Sequence, residues 1–73
     1  MNEPDAVTLV INGLAKRFDS GTYPRSAQQL VDLLELGSVV LELNGSIVAR
    51  ADWPSASLAD GDRVELVGFV GGG

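Results

Sequence analysis

The side chains that most often carry enzyme chemistry are missing from this sequence. There is no Cys and no His. That removes thiol nucleophiles, disulfides, cysteine-ligated zinc and iron–sulfur clusters. It also removes the general base that titrates near neutral pH, so classical triads and the commonest metal sites cannot be assembled. What remains is the end of the chain, Gly71-Gly72-Gly73. With glycine at about 7% of average composition, three in a row at a chosen end arise by chance about three times in ten thousand. The run therefore calls for a chemical reading, against the alternative of a solvated tail or a cloning remnant. A tail without side chains is thin and flexible. It can thread a narrow channel and carry a terminal carboxylate to a reactive centre in another protein. A carboxylate is a poor electrophile, but adenylation by ATP gives it a leaving group. A sulfur donor can then convert it to a thiocarboxylate.

Other residues offer less. Asp60 and Asp62 could pair as a metal or acid/base site, but Asp-Gly-Asp is also what a turn requires. Trp53 could be a ligand platform, although covering a thin core is the plainer role. Arg50 could hold a phosphate, or be a solvated charge. Asp32, Glu35, Glu42 and Glu65 read as solubilising acids, some of which could steer a basic partner.

The elements that would position the tail follow from periodicity and turn signals. Ala6 to Ile11 reads as a strand with Val7, Leu9 and Ile11 on one face. Asn12-Gly13 is a hairpin signal, and Leu14 to Asp19 returns with Leu14, Lys16 and Phe18 on one side. Gly21 and Pro24 mark a loop. Ser26 is an N-cap with Gln29 in capping-box position. Ala27, Leu30, Val31 and Leu34 form a helical stripe widened by Leu33, and Gly37 is expected at the left-handed C′ position. Val39 to Leu43 is a third strand, with Val39, Leu41 and Leu43 inward. Asn44-Gly45 is a second turn, Ile47-Val48 a short fourth strand, and Arg50 to Ala59 irregular. Asp60-Gly61-Asp62 turns into the last strand, Arg63 to Val70, with Val64, Leu66 and Val70 on one face and Val67 and Phe69 on the other. One helix on one face of a mixed sheet of about four to five strands is an α+β layer architecture. The β-grasp arrangement fits this order.

Size and charge narrow the function further. With 73 residues the chain reads as a single domain over residues 1–73, with a flexible glycine tail at 71–73. A domain of this size has too thin a core for an ordinary active-site pocket. A hydrophobic content of 45% suits a folded domain and argues against disorder. A net charge of −5 disfavours nucleic acid and favours a basic protein partner. Met1-Asn2-Glu3-Pro4-Asp5 carries acid where a secretion signal needs base. No apolar run approaches a membrane span, so no membrane partner is expected and the address is read as cytoplasmic.

Three segments carry a family resemblance: Val40-Leu41-Glu42-Leu43-Asn44-Gly45; Ile47-Val48-Ala49-Arg50 with Trp53 close behind; and Leu58-Ala59-Asp60-Gly61-Asp62-Arg63-Val64-Glu65-Leu66-Val67 leading to the glycines. From Val7 to Gly73 the chain resembles the ThiS family, the sulfur carriers of thiamin biosynthesis. The resemblance implies a β-grasp, ubiquitin-like fold and activation by a ThiF-like adenylating enzyme, which consumes the ATP. It also implies a sulfur donor protein and delivery to thiazole synthase, with no cofactor bound by the carrier itself and no catalysis by it. Carried onto this sequence, the family's adenylated and thiocarboxylated glycine is Gly73, preceded by Gly72 and Gly71. Two departures stand out: Ala49 occupies a position where members often have proline, and the link from helix to third strand is short. Neither touches the tail.

In a β-grasp sheet the first and last strands are neighbours and the third borders the last. Alternation then puts Val10, Val40, Val67 and Phe69 on the face away from the helix, where an exposed apolar cluster would bind a partner. Val70 joins them at the start of the tail; Phe69 could instead curl into the core edge. The alternatives are a carrier like the small subunit of molybdopterin synthase, a ubiquitin-like modifier, or a plain β-grasp binding module. The first usually ends in a Pro-Pro-Val-Ala-Gly-Gly-like sequence, which Phe69-Val70-Gly71-Gly72-Gly73 does not match.

Overall fold

The computed structural model describes residues 5–68. Five strands and one α-helix follow in the order β1 (Ala6–Ile11), β2 (Leu14–Asp19), α1 (Ala27–Leu33), β3 (Val39–Leu43), β4 (Ser46–Val48) and β5 (Arg63–Gly68), with a 3₁₀ helix, Arg50–Ser55, between β4 and β5. The sheet order is β2-β1-β5-β3-β4. β1 and β5 run parallel and the other pairs antiparallel. This is the β-grasp arrangement, and it puts the last described strand at the centre of the sheet.

Both hairpins are made by Asn-Gly. Asn12 and Asn44 each have φ of 51°, and Gly13 and Gly45 have φ of 84° and 90°. Two successive positive φ values make a turn whose twist matches that of the flanking strands. The resulting register puts Val7, Leu9, Ile11, Leu41 and Val64 on one face, all buried.

Helix α1 covers that face with Ala27, Leu30 and Val31. At seven residues it is too short to hold itself together and is stabilised by this packing. Ser26 caps it, its Oγ accepting from Gln29 N at 3.1 Å. Gln29 does not complete the expected capping box on Ser26; its Oε1 accepts from Arg25 N at 2.8 Å, one residue earlier. The helix ends before Gly37. Glu35 takes the left-handed position with φ of 55°. Its N–H donates to Asp32 O and the Leu36 N–H donates to Val31 O, the paired bonds of a Schellman motif. Leu33 lies off the apolar stripe and is 56% exposed, because the helix presents only a narrow face to the sheet; Leu34 packs against the core instead.

The segment expected to be irregular holds the 3₁₀ helix, in which Pro54 has no N–H to lose and Asp52 N donates to Ala49 O. Its purpose is to seat Trp53, which is 1% exposed and donates from Nε1 to Val48 O at 3.0 Å. The indole closes the core beside Leu58, Leu30 and Leu41, and Arg50 lies over its ring at 5.4 Å. Trp53 and Arg50 are thus occupied with each other and with the core.

Candidate functional site: the tail-bearing strand and the bare sheet face

The tail follows β5, and β5 is fastened from both sides. On the β1 side, Val10 N donates to Asp62 O and Asn12 N to Val64 O, both at 2.9 Å. Asn12 Oδ1 then accepts from Leu66 N at 2.7 Å. On the β3 side, Asn44 N donates to Arg63 O at 2.8 Å, and Asn44 Oδ1 accepts from Arg63 N at 2.9 Å. Each turn asparagine therefore sets its hairpin through backbone conformation and grips the central strand with its side chain.

The Asp60-Gly61-Asp62 turn fastens the start of the same strand. Asp60 Oδ1 accepts from Thr8 N at 2.7 Å, and Gly61 N donates to Thr8 O at 2.7 Å. Asp62 accepts from Ala59 N through Oδ2 at 2.8 Å and from Asn44 Nδ2 through Oδ1 at 3.1 Å. Gly61 has φ of 88°, where a side chain would be strained. Both carboxylates are consumed by the turn, which is the plainer of their two readings. Among the described residues no group of three or more His, Cys, Asp or Glu is placed to hold a metal ion, and no pocket opens in the surface.

The chain goes on from β5 into residues 69–73. Phe69, Val70, Gly71, Gly72 and Gly73 lie outside the described residues. Five residues can span at most about 17 Å, which bounds how far the Gly73 carboxylate can stand from the end of β5.

The face away from α1 carries the other candidate site residues. Val40 and Val67 are directly opposite in the β3–β5 register, and Val67 is 59% exposed. Val10 is on the same face but not in the same cluster. It pairs with Ala15 on one side and Arg63 on the other, two rows along β5 from Val67. Arg63 and Glu65 stand between. The expected four-residue cluster therefore shrinks, among the described residues, to Val40 and Val67.

Ile47 extends it. The two-residue turn at Asn44-Gly45 sets Ile47 opposite Glu42, one row from Val40, and leaves it 70% exposed. Sequence reasoning passed over Ile47, although the Asn-Gly turn and alternation together already place its side chain outward. Between the apolar residues lies a pair of acids: Glu42 and Glu65 are directly opposite one another.

Known proteins resemble this chain in sequence and in fold. The model of the ThiS family matches residues 3–73. The crystal structure of the thiamine biosynthesis protein (ThiS) from Geobacter metallireducens superposes with a TM-score of 0.76 at 30% identity, covering 92% of this chain and 100% of that one. A thiazole synthase of Paramagnetospirillum magneticum is 38% identical over 71 residues, covering 89% of this chain. The chain spans only 20% of that relative's length. The match to the family model takes in the Asp-Gly-Asp-Arg turn, the strand it fastens and the glycines beyond, so the chain belongs to the ThiS family of sulfur carriers.

Proposed function

We propose that this protein carries sulfur as a thiocarboxylate on Gly73 for the synthesis of the thiamin thiazole. A ThiF-like adenylating enzyme binds the domain and draws in the tail. The Gly73 carboxylate attacks the α-phosphate of ATP, pyrophosphate leaves, and an acyl adenylate forms. Sulfide-level sulfur released by a donor protein then attacks the acyl carbon as hydrosulfide, the C–O bond to AMP breaks, AMP leaves, and loss of the proton gives the thiocarboxylate. The thiocarboxylate is presented to thiazole synthase, and the carrier returns as a carboxylate. The chain contributes no catalytic side chain and binds no cofactor; ATP belongs to the partner. These steps take place in the cytoplasm.

The observation that carries the reading is the family match running through to the glycine end. The fold supports it physically. A tail that must enter another protein's centre benefits from a rigid base, and here the base is the central strand, held by backbone bonds and two asparagine side chains. Thiazole synthase as the receiver is supported by the relative of that name, in which a segment similar to this chain makes up a fifth of the polypeptide. Covalent linkage raises the effective concentration of a carrier beside its acceptor, and separate chains must replace linkage by docking.

The test is the intact mass of the protein after incubation with ATP, a sulfide source and the cognate adenylating enzyme. The expected product is heavier by the difference between sulfur and oxygen, with the change located in the C-terminal peptide. Sulfur found only elsewhere, or none at all with a demonstrably active partner, would overturn the reading.

A further inference from the structure

The two turn asparagines grip the tail-bearing strand at different points, and only one grip lies near the tail. Asn44 holds Arg63, the first residue of β5. Asn12 holds Leu66, two residues before the strand ends at Gly68. The difference comes from where the neighbouring strands stop. On the β3 side the ladder runs on to the pair Val39 and Gly68. On the β1 side it ends early. Val10 pairs with Arg63 and Ile11 with Val64, Asn12 N donates to Val64 O, and at Gly13 the chain turns away with φ of 84°. Alternation points the N–H and C=O groups of Val64, Leu66 and Gly68 to this side. Leu66 N is therefore a ladder donor with no β1 backbone left to accept it. The Asn12 side chain accepts it instead, at 2.7 Å, and prolongs the ladder by one bond beyond its own strand.

Resting on the carrier reading, we propose that Asn12 is a positioning residue for adenylation: its side chain fixes the direction in which the chain leaves β5, and so where the Gly73 carboxylate is delivered. It touches no reacting atom. Past Leu66, β5 is paired on the β3 side alone among the described residues, and a strand held along one edge can pivot about that edge. The carboxylate stands up to about 17 Å beyond the strand, so a small pivot at Leu66 becomes a large displacement there. Misplacing reacting groups by about 1 Å can cost about a hundredfold in rate. Asn44 has no such leverage, since its bonds to Arg63 and Asp62 lie at the far end of the strand. Asparagine suits position 12 twice over: it tolerates the φ of 51° that the turn needs and it supplies the acceptor for Leu66. Aspartate shares both properties, whereas glycine keeps the turn alone.

The experiment follows ATP–pyrophosphate exchange by the cognate adenylating enzyme while the full-length carrier is titrated. It compares wild type, N12G, N12D and N44G at a temperature below all four melts, and it reads the Leu66 amide by hydrogen exchange. N12G should lower kcat about fivefold, the ratio that one net hydrogen bond is worth, with KM for the carrier within about twofold. Its Leu66 amide should exchange faster than in wild type. N12D should restore both. N44G loses two side-chain bonds where N12G loses one, so it should melt no higher than N12G and yet keep kcat within about twofold. If N12G keeps the wild-type kcat, or if kcat simply follows the melts of N12G and N44G, the positioning role fails and the carrier reading is untouched. A low kcat for N12D with a protected Leu66 amide also defeats it. If kcat depends on Asn12 as expected but sulfur never loads, the carrier reading fails and the positioning role stands. A wild type that supports no exchange by a demonstrably active enzyme overturns both.

Discussion

The two faces of the sheet are built from the same kinds of residue and are left in opposite states. On one, Leu9, Leu41 and Val64 are each less than 2% exposed, and Leu30 of the helix, Trp53 of the 3₁₀ helix and Leu58 close over them. On the other, Val67 and Ile47 stand more than half exposed beside a repelling acidic pair. A small domain has little apolar surface to spare. Leaving part of it in water, next to charges that weaken the ladder, is poor design for stability alone. The covered face makes the fold; the bare face is available for a partner. If that division is right, substitutions on the two faces should separate stability from partner binding, and the tail should separate from both.

The largest effect belongs to the tail. Deleting Gly72 and Gly73 should abolish activation, because the new carboxylate can no longer reach the adenylating centre, while the thermal melt stays where it was. ATP–pyrophosphate exchange with the cognate enzyme reads the first, and calorimetry the second. Normal exchange by the shortened chain would show that reach does not limit activation.

Next comes the covered face. Trp53→Ala should cost about 3–5 kcal/mol, comparable with the whole stability expected of a domain this size. Denaturant unfolding should find the variant largely unfolded in buffer. A loss below about 1 kcal/mol would mean that the indole is not closing the core. Val67→Asp, on the bare face, should do the reverse. Its melt should stay within a few degrees of wild type while affinity for the adenylating enzyme drops about tenfold or more, since a charge meets an apolar surface there. Unchanged affinity would take Val67 out of the interface. Phe69→Asp is the companion substitution next along the chain, at a position outside the described residues.

Between the two faces lie the turn asparagines. Asn44→Ala removes the acceptor for Arg63 N, the donor to Asp62 Oδ1 and the residue type that tolerates φ of 51°. A loss of about 1–2 kcal/mol is expected, with affinity for the partner little changed once the chain is folded. Asn44→Gly keeps the turn and loses only the side-chain bonds, so it should recover part of the difference. Equal melts for the two variants would mean that the backbone preference contributes nothing and that the side-chain bonds account for the whole loss.

What could be seen in the sequence depended on how local the cause is. Both Asn-Gly hairpins, the Ser26 cap and the inward residues of β1 and β3 rest on neighbours a few positions apart, and all are found as expected. The grip of Asn12 on Leu66 joins residues 54 apart, and no local pattern announces it. Alternation gives the face of Val10 correctly but cannot give its row. The row comes from the register of a parallel pairing between distant strands, and that register sets Val10 against Arg63. The 3₁₀ helix has no apolar period of its own and stands out only through Trp53. At the candidate site, the glycine tail is a matter of composition and lies outside the described residues. The Glu42–Glu65 opposition needed the register of β3 on β5.

The smallest effect concerns the end of α1, on the covered side. Gly37 suggests itself as the left-handed cap because glycine is the usual residue there. The chain instead turns two residues earlier, with Glu35 at φ of 55°. An L-residue in that region is disfavoured by roughly 1–2 kcal/mol. The helix accepts this cost because Leu36 N must reach Val31 O at 3.3 Å to close the motif, and Val31 is fixed by the core. Glu35→Gly should relieve the strain. Part of the gain is offset by the greater freedom of glycine in the unfolded chain, leaving about 0.5–1 kcal/mol, or a rise of a few degrees in melting temperature. Gly37→Ala offers the contrast. Gly37 is not among the residues of positive φ, and an added Cβ would meet nothing within 4 Å. Alanine there should be neutral or slightly stabilising through the unfolded state. Neither substitution touches the bare face, so partner affinity should not move. A lower melt for Glu35→Gly together with a lower melt for Gly37→Ala would place the helix cap at Gly37 after all.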